Sequence, residues 1–240
     1  MPARATALIA LAGALLLTLC GCTNTDKASR PVPSVTAGPI AVTAHPGDGI
    51  LRVATVLDGG DAAAVSAAVV AGTELAAREV DEQGGVAGAD LVLIHRVIGG
   101  DGAALAADLL AHGVDVVLWG GAADADAGLR DALGAAGTSI VPLPALGDPG
   151  ALAPVDDTFA ARLKSADPGL EALSGGPEGY DVLLRLALAA ISAHNDSGAA
   201  VAAALPDLSH DGFECSGWGQ CADALSDGSD ISYRGVAATP

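Results

Sequence analysis

The feature that most constrains the fold of this chain is an alternation of short apolar runs with longer amphipathic stretches. The runs have the length of buried strands and lie at residues 50–57, 91–97, 114–119 and 139–143. A stretch of helical length separates each run from the next. Strands that alternate with helices in this way are joined by right-handed crossovers and form a parallel sheet. We therefore predict an α/β fold with a doubly wound parallel sheet.

Periodicity and turn residues define the predicted helices. In the first helix, small and apolar residues recur every three or four positions, at Val65, Val69, Gly72, Ala76 and Val80. We expect Asp61 to cap the N-terminus of this helix and Gly84 and Gly85 to end it, because glycine accepts the left-handed conformation that follows many helices. Further helices are predicted at residues 101–112 and 126–136.

The composition restricts both the core and the partners of the chain. Hydrophobic residues make up 51% of the 240 residues but aromatic residues only 2%, so the core must consist of small and aliphatic side chains. Such a core suits helices that lie closely on a parallel sheet. Acidic residues outnumber basic ones by 29 to 11, which gives a formal net charge of -18. Because nucleic acids require clustered Lys and Arg, we expect no nucleic-acid partner.

The N-terminus has the features of an export signal. Arg4 precedes an apolar run at residues 5–19, which is shorter than the roughly 20 residues that a membrane-spanning helix needs. The run ends in Leu19-Cys20-Gly21-Cys22, which resembles a bacterial lipobox. The resemblance implies that residues 1–21 are a lipoprotein signal peptide and that Cys22 receives diacylglycerol and acyl chains such as palmitate. An ordinary secretory signal with two incidental cysteines is the alternative.

A low-complexity segment follows the signal. Residues 22–49 are rich in Pro, Thr, Ser, Ala and Gly, a composition typical of a flexible tether. No later segment is long and apolar enough to cross a membrane. Together these features predict a protein anchored by lipid to the extracytoplasmic face of the cell membrane.

Three parts of the chain resemble one known family. Residues 72–88 form a predicted helix that ends in a polar residue before Gly-Gly-Val-Ala-Gly. Residues 179–190 are similar to a late helix of the family, and residues 213–221 and 228–235 to its C-terminal stretch. The family is that of the type I periplasmic binding proteins, the solute-binding proteins of branched-chain amino-acid ABC importers. The resemblance implies two Rossmann-like lobes that close on a solute.

The chain departs from this family where the second lobe would begin. Residues 144–154 form only a short Pro-, Gly- and Asp-rich connection after the fourth predicted strand. A second lobe would need on the order of 100 more residues. We therefore expect a single Rossmann-like α/β lobe over residues 50–240, with a first part at 50–143 and a returning part at 155–240.

The resemblance also implies a ligand site. In the family, the loop after the third strand binds the carboxylate of an amino acid. The matching residues here, together with Tyr180 of the late helix, are Gly120, Gly121, Ala122, Ala123 and Asp124. This loop has no hydroxyl side chain and Asp124 would repel a carboxylate, so binding is expected to be weak. A helix cap at Asp124 or Asp126 is the favoured interpretation of these acids.

Two cysteines near the C-terminus, Cys215 and Cys221, are expected to form a disulfide, because an exported chain meets an oxidising compartment and the intervening loop is short. A metal site would need more ligands than these thiols and His210. The serines and histidines show no catalytic pattern, and no glycine-rich phosphate loop precedes a lysine. We therefore expect no catalytic residue, no metal, no cofactor and no enzyme activity.

Two functions remain open on the sequence. The first is a lipid-anchored solute-binding protein related to amino-acid ABC importers, with an amino-acid-like solute, weak or lost ligand binding and an ABC permease as partner. The second is an envelope lipoprotein that acts as a protein-interaction module and binds no small molecule. A single lobe offers only half of the contacts that a closed pair of lobes gives a solute, so the sequence does not separate the two.

Overall fold

The computed structural model describes residues 47–143, 146 and 152–237. Four strands form its main sheet, namely β1 (Arg52–Leu57), β2 (Val92–Val97), β3 (Val116–Gly120) and β4 (Ser139–Pro142). They are all parallel and lie in the order β2-β1-β3-β4. The prediction of a doubly wound parallel α/β sheet is confirmed. The predicted signal peptide and Cys22 lie outside the described residues.

Helices and a second, smaller sheet complete the described part of the chain. The helices are α1 (Ala63–Glu82), α2 (Gly102–Ala111), α3 (Ala127–Ala135), α4 (Asp157–Ala166), α5 (Gly176–Ala193), α6 (Gly198–Ala204) and α7 (Trp218–Ser226). Short 3₁₀ helices lie at Gly60–Ala62 and Leu205–Ser209. Strand β5 (Phe213–Cys215) pairs in parallel with β6 (Ile231–Tyr233). This small sheet was not predicted from the sequence.

Side chains of β1 alternate between two cores, one on each face of the main sheet. Val53 and Leu57 pack with apolar residues of α1, α4, α5 and α7, whereas Ala54 and Val56 pack with those of α2 and α3. All four side chains are buried. Burial on both faces is typical of a central parallel strand, and it gives the domain a three-layer arrangement of helices, sheet and helices.

Helices α1 and α5 approach each other backbone to backbone. A Cβ atom at Gly72 of α1 would collide with the carbonyl oxygen of Gly176, and one at Gly179 of α5 would collide with that of Val69. Larger side chains would hold the two helices further apart and leave poorly packed space between them. The small residues of the sequence therefore have a specific use at this contact.

Acidic side chains cap α2 and α3 but not α1. Asp101 accepts hydrogen bonds from the first backbone amides of α2, and Asp126 accepts one from an amide of α3. The interpretation of Asp126 as a helix cap is confirmed. The predicted cap at Asp61 is wrong, because this residue lies inside the 3₁₀ helix that precedes α1 and makes no capping hydrogen bond.

The returning part of the chain packs on the first part. Helices α4 and α5 both contact α1, and α6 contacts β4. Residues 47–143 thus contain the four-stranded parallel sheet, and helices of residues 152–237 pack on it. Among the described residues, no helix combines the length and the apolar character that a membrane span requires.

A cluster of charged residues lies where β1 and β3 begin. One oxygen of Asp196 accepts hydrogen bonds from the backbone amides of residues 48–50, and Asp115 accepts one from the amide of Arg52 at 2.9 Å. Burial raises the pKa of Asp115 to about 6, the hydrogen bond from Arg52 opposes this rise, and the negative charge of Asp196 adds to it. The ionised form of Asp115 therefore lowers stability at neutral pH.

We predict that Asp115→Asn stabilises the protein at neutral pH but not at acidic pH. Because the folded pKa of about 6 lies above the ordinary value of 3.8, the folded state binds the proton more tightly than the unfolded chain, and the favourable contribution is lost as the pH rises through about 6. Urea unfolding should show a gain of about 1 kcal/mol near neutral pH and almost none near pH 4. The control Asp131→Asn, on the exposed face of α3, should show no pH-dependent gain. Equal gains in both variants would contradict the burial of Asp115.

We also predict opposite effects for two helical Gly→Ala substitutions. Gly72→Ala should lower the free energy of unfolding by about 1–3 kcal/mol, because the added Cβ meets the backbone of α5. Gly134→Ala in α3 places its Cβ in open space and should raise the free energy of unfolding by about 0.5–1 kcal/mol. Urea unfolding measures both. Stabilisation by both substitutions would show that α1 and α5 are not in close contact.

Candidate functional site

The carboxyl-terminal edge of the main sheet contains a topological switch point. Strands β1 and β3 are neighbours, and the chain leaves β1 toward β2 but leaves β3 toward β4 on the opposite side. Open parallel sheets bind ligands in the crevice outside such a pair of strands. Residues 58–60 border this crevice after β1, and residues 121–124 border it after β3.

Asp58 joins the two sides of the crevice. Its Oδ2 accepts a hydrogen bond from the backbone amide of Ala122 at 2.9 Å, and its carbonyl oxygen accepts one from the hydroxyl of Ser66 at 2.7 Å. The Asp58 carboxylate thus accepts the hydrogen bond of an amide in this loop. The family resemblance assigns the same loop to the binding of a ligand's carboxylate. This role was not predicted, although an acid directly after the first strand of a parallel sheet could have indicated it.

Trp119, at the end of β3, holds the other end of the loop. Its indole Nε1 donates a hydrogen bond to the carbonyl oxygen of Ala123 at 2.8 Å, and only 8% of the residue is exposed. Gly121 lies against the indole ring, so closely that a Cβ atom at this position would collide with it. The structure therefore brings the predicted loop residues together, with their conformation fixed by hydrogen bonds within the chain.

A cavity of about 370 Å³ lies at this switch point. Its wall includes residues 121–124, Trp119 and the carboxylates of Asp58 and Asp126. Gly120, the buried last residue of β3, is not part of the wall. Among the described residues that line the cavity there is no Lys, Arg or His. The wall is therefore negatively charged, which disfavours a free anion and favours a cationic group.

Tyr180 lies elsewhere, in a buried cluster between α1, α4 and α5. Its hydroxyl donates to Oε2 of Glu79 at 2.6 Å, and Arg162 donates to the same oxygen at 2.8 Å. Its ring packs edge to face on Phe159, with 5.3 Å between the centroids. Burial raises the pKa of Tyr180 to about 12. Since Tyr180 is 2% exposed and does not line the cavity, the structure does not bring it together with the predicted ligand loop.

Cys215 and Cys221 form a disulfide, with their Cα atoms 5.3 Å apart. The bond joins β5 to α7, and both cysteines are buried. Trp218, which lies between them and begins α7, is also buried. The disulfide therefore fixes a buried turn. The part of the chain that the structure describes contains no cluster of His, Cys, Asp or Glu that could hold a metal ion.

Comparison of the chain with protein-family models, with curated proteins and with solved structures gives no significant match. The fold alone assigns no activity, because doubly wound sheets host many unrelated functions. The resemblance to type I periplasmic binding proteins therefore rests on the sequence segments described above alone, and a functional proposal rests on the geometry at the edge of the sheet.

Proposed function

We propose that this protein is an extracytoplasmic, lipid-anchored solute-binding protein, related to those of amino-acid ABC importers but built from a single lobe. The observation that carries the proposal is the cavity at the switch point between β1 and β3, where parallel-sheet proteins bind small ligands. Its volume of about 370 Å³ lies in the range of small-molecule sites. Cys22 is the proposed point of lipid attachment, and an ABC permease in the same membrane is the proposed partner.

The charges of the cavity determine how an amino-acid-like solute would bind there. The amide of Ala122 suits a carboxylate, but Asp58 already accepts its hydrogen bond. A carboxylate solute must displace Asp58, while Asp124 and Asp126 attract its ammonium group. A single lobe also covers only one side of the solute. We therefore infer weak binding, which a second protein surface over the cavity would strengthen.

The hydrogen bond between Asp58 and Ala122 also favours a second candidate function. A loop whose amide is already paired within the chain needs no ligand to satisfy that amide. In this candidate, the lobe is an envelope lipoprotein that acts as a protein-interaction module and binds no small molecule. The two candidates differ in whether removal of the Asp58 charge creates affinity for a carboxylate.

We predict that Asp58→Asn increases the affinity for amino acids. The substitution removes the negative charge that competes with the carboxylate of the solute for the amide of Ala122. Thermal unfolding of the full chain in detergent, with a panel of amino acids at millimolar concentrations, should show a larger rise of the midpoint in the variant than in the wild type. A solute at one hundred times its dissociation constant adds about 2.7 kcal/mol, which corresponds to several degrees.

Asp211→Asn is the matched control, because it makes the same charge change at an exposed residue that does not line the cavity. It should leave the midpoint shifts at wild-type values. Trp119 fluorescence gives a second readout, since the indole holds the loop through Ala123. If no solute shifts the midpoint of either the wild type or Asp58→Asn, the solute-binding proposal is wrong for this cavity and the interaction module is favoured.

A further inference from the structure

A second cavity, of about 380 Å³, lies beyond the carboxyl-terminal end of β4. It is formed by α5, the 3₁₀ helix Leu205–Ser209 and residues around β4 and β6. It shares no lining residue with the switch-point cavity. Its wall is mainly apolar, with Val141, Leu143 and Val182 among its residues. The volume and the mixed wall are typical of sites for small amphipathic molecules.

Two charged side chains of α5 line this cavity, and each carries a buried atom without a hydrogen-bond partner. The Oε2 atom of Glu178 and the Nε atom of Arg185 are both buried, and neither has a hydrogen-bond partner among the described residues. Both residues line the cavity. Buried polar atoms in folded proteins are nearly always paired, so two charged groups that each carry an unpaired atom beside one cavity indicate partners that a ligand supplies.

The remaining atoms of these side chains are held in place. Oε1 of Glu178 accepts a hydrogen bond from the amide of Ala153 at 2.6 Å. The Nη2 atom of Arg185 donates to the carbonyl oxygen of Leu205 and to the hydroxyl of Ser209, both at 3.3 Å. Each charged group is thus fixed by one part of the chain, while one of its atoms has no partner among the described residues.

The spacing of the two groups defines the shape of the ligand. Glu178 and Arg185 are two helical turns apart on the same face of α5, which separates their backbones by about 10 Å. They form no salt bridge with each other within the described residues. Their opposite charges therefore lie at different places along the cavity. Between them in the sequence, the wall includes apolar Val182 and also Asp181, whose carboxylate already accepts hydrogen bonds from Tyr233, Val236 and Ala237.

We propose that this cavity binds an elongated dipolar solute, whose cationic amine contacts Glu178, whose carboxylate contacts Arg185 and whose apolar middle lies along the wall between them. Such a solute supplies the missing partner of each unpaired atom. An α-amino acid carries both charged groups on one carbon atom, so its charges are much closer together than those of an elongated solute. The site is independent of the switch-point cavity and of the solute proposed for it.

The test compares two isomers with the same atoms but different charge separation, 6-aminohexanoate and norleucine. Isothermal titration calorimetry on the full chain in detergent should show that 6-aminohexanoate binds with one-to-one stoichiometry and at least about tenfold more tightly than norleucine. Hexanoate and hexylamine, each of which carries only one of the charges, should bind about tenfold more weakly than 6-aminohexanoate. Absence of 6-aminohexanoate binding, or equal binding of norleucine, overturns the proposal without any variant.

Two variants test which residue contacts the amine of the solute and which contacts its carboxylate. Glu178→Gln keeps an acceptor for the amide of Ala153. It should weaken the binding of 6-aminohexanoate about tenfold and leave the affinity for hexanoate unchanged. Arg185→Gln should weaken the binding of 6-aminohexanoate by a similar factor and leave the affinity for hexylamine unchanged. Circular dichroism melts establish that each variant is folded. If either folded variant binds 6-aminohexanoate like the wild type, the proposed contacts are wrong.

The controls use an exposed pair of the same residue types. Glu214→Gln and Arg234→Gln alter a surface salt bridge on the small sheet and should not change the affinity for 6-aminohexanoate. Asp58→Asn should also leave it unchanged, because Asp58 lines only the switch-point cavity. A loss of 6-aminohexanoate binding in Asp58→Asn would place the binding at the switch point and overturn the second site.

Discussion

The close contact between the backbones of α1 and α5 determines how the rest of the domain is arranged. Gly72 and Gly179 let the two helices approach until no Cβ atom would fit between them. Helix α5 therefore lies beside α1 and shares its core with β1 and β3. Its position then fixes every polar group it carries: Tyr180 turns toward Glu79 of α1, while Glu178 and Arg185 face the cavity beyond β4.

The C-terminal segment is tied to the same helix by a buried carboxylate. Asp181 accepts hydrogen bonds from the hydroxyl of Tyr233 at 2.9 Å and from the amides of Val236 and Ala237 at 2.9 and 2.7 Å. Burial raises the pKa of Asp181, and these three donors oppose the rise. A carboxylate buried without donors would be strongly unfavourable, so the segment and the helix stabilise each other. Together with the disulfide, this segment packs on the core that α5 shares with β1 and β3.

The sequence predicted what depends on local pattern and missed what depends on distant contacts. The four strands of the main sheet, the cap at Asp126 and the packing of small residues follow from periodicity and composition. Tyr180 was grouped with the ligand loop because of its position in a family segment, yet its hydroxyl is bonded to Glu79, 101 residues earlier. The pairing of β5 with β6 and the bond between Asp58 and Ala122 likewise join residues far apart in sequence. Neither strand of the small sheet is long enough to show a period of its own.

The two cavities at the carboxyl-terminal side of the sheet differ in how their polar groups are paired. At the switch point, Asp58 takes the place of an anionic ligand on Ala122, so a carboxylate solute must break an existing bond before it gains a new one. Beyond β4, no described residue pairs Oε2 of Glu178 or Nε of Arg185, so a solute that supplies their partners breaks no existing hydrogen bond of these two atoms. Because an unpaired buried group is costly and a paired one is not, the balance of hydrogen bonds favours binding beyond β4 over binding at the switch point. The solute site proposed beyond β4 therefore does not depend on the loop to which the family resemblance assigns ligand binding.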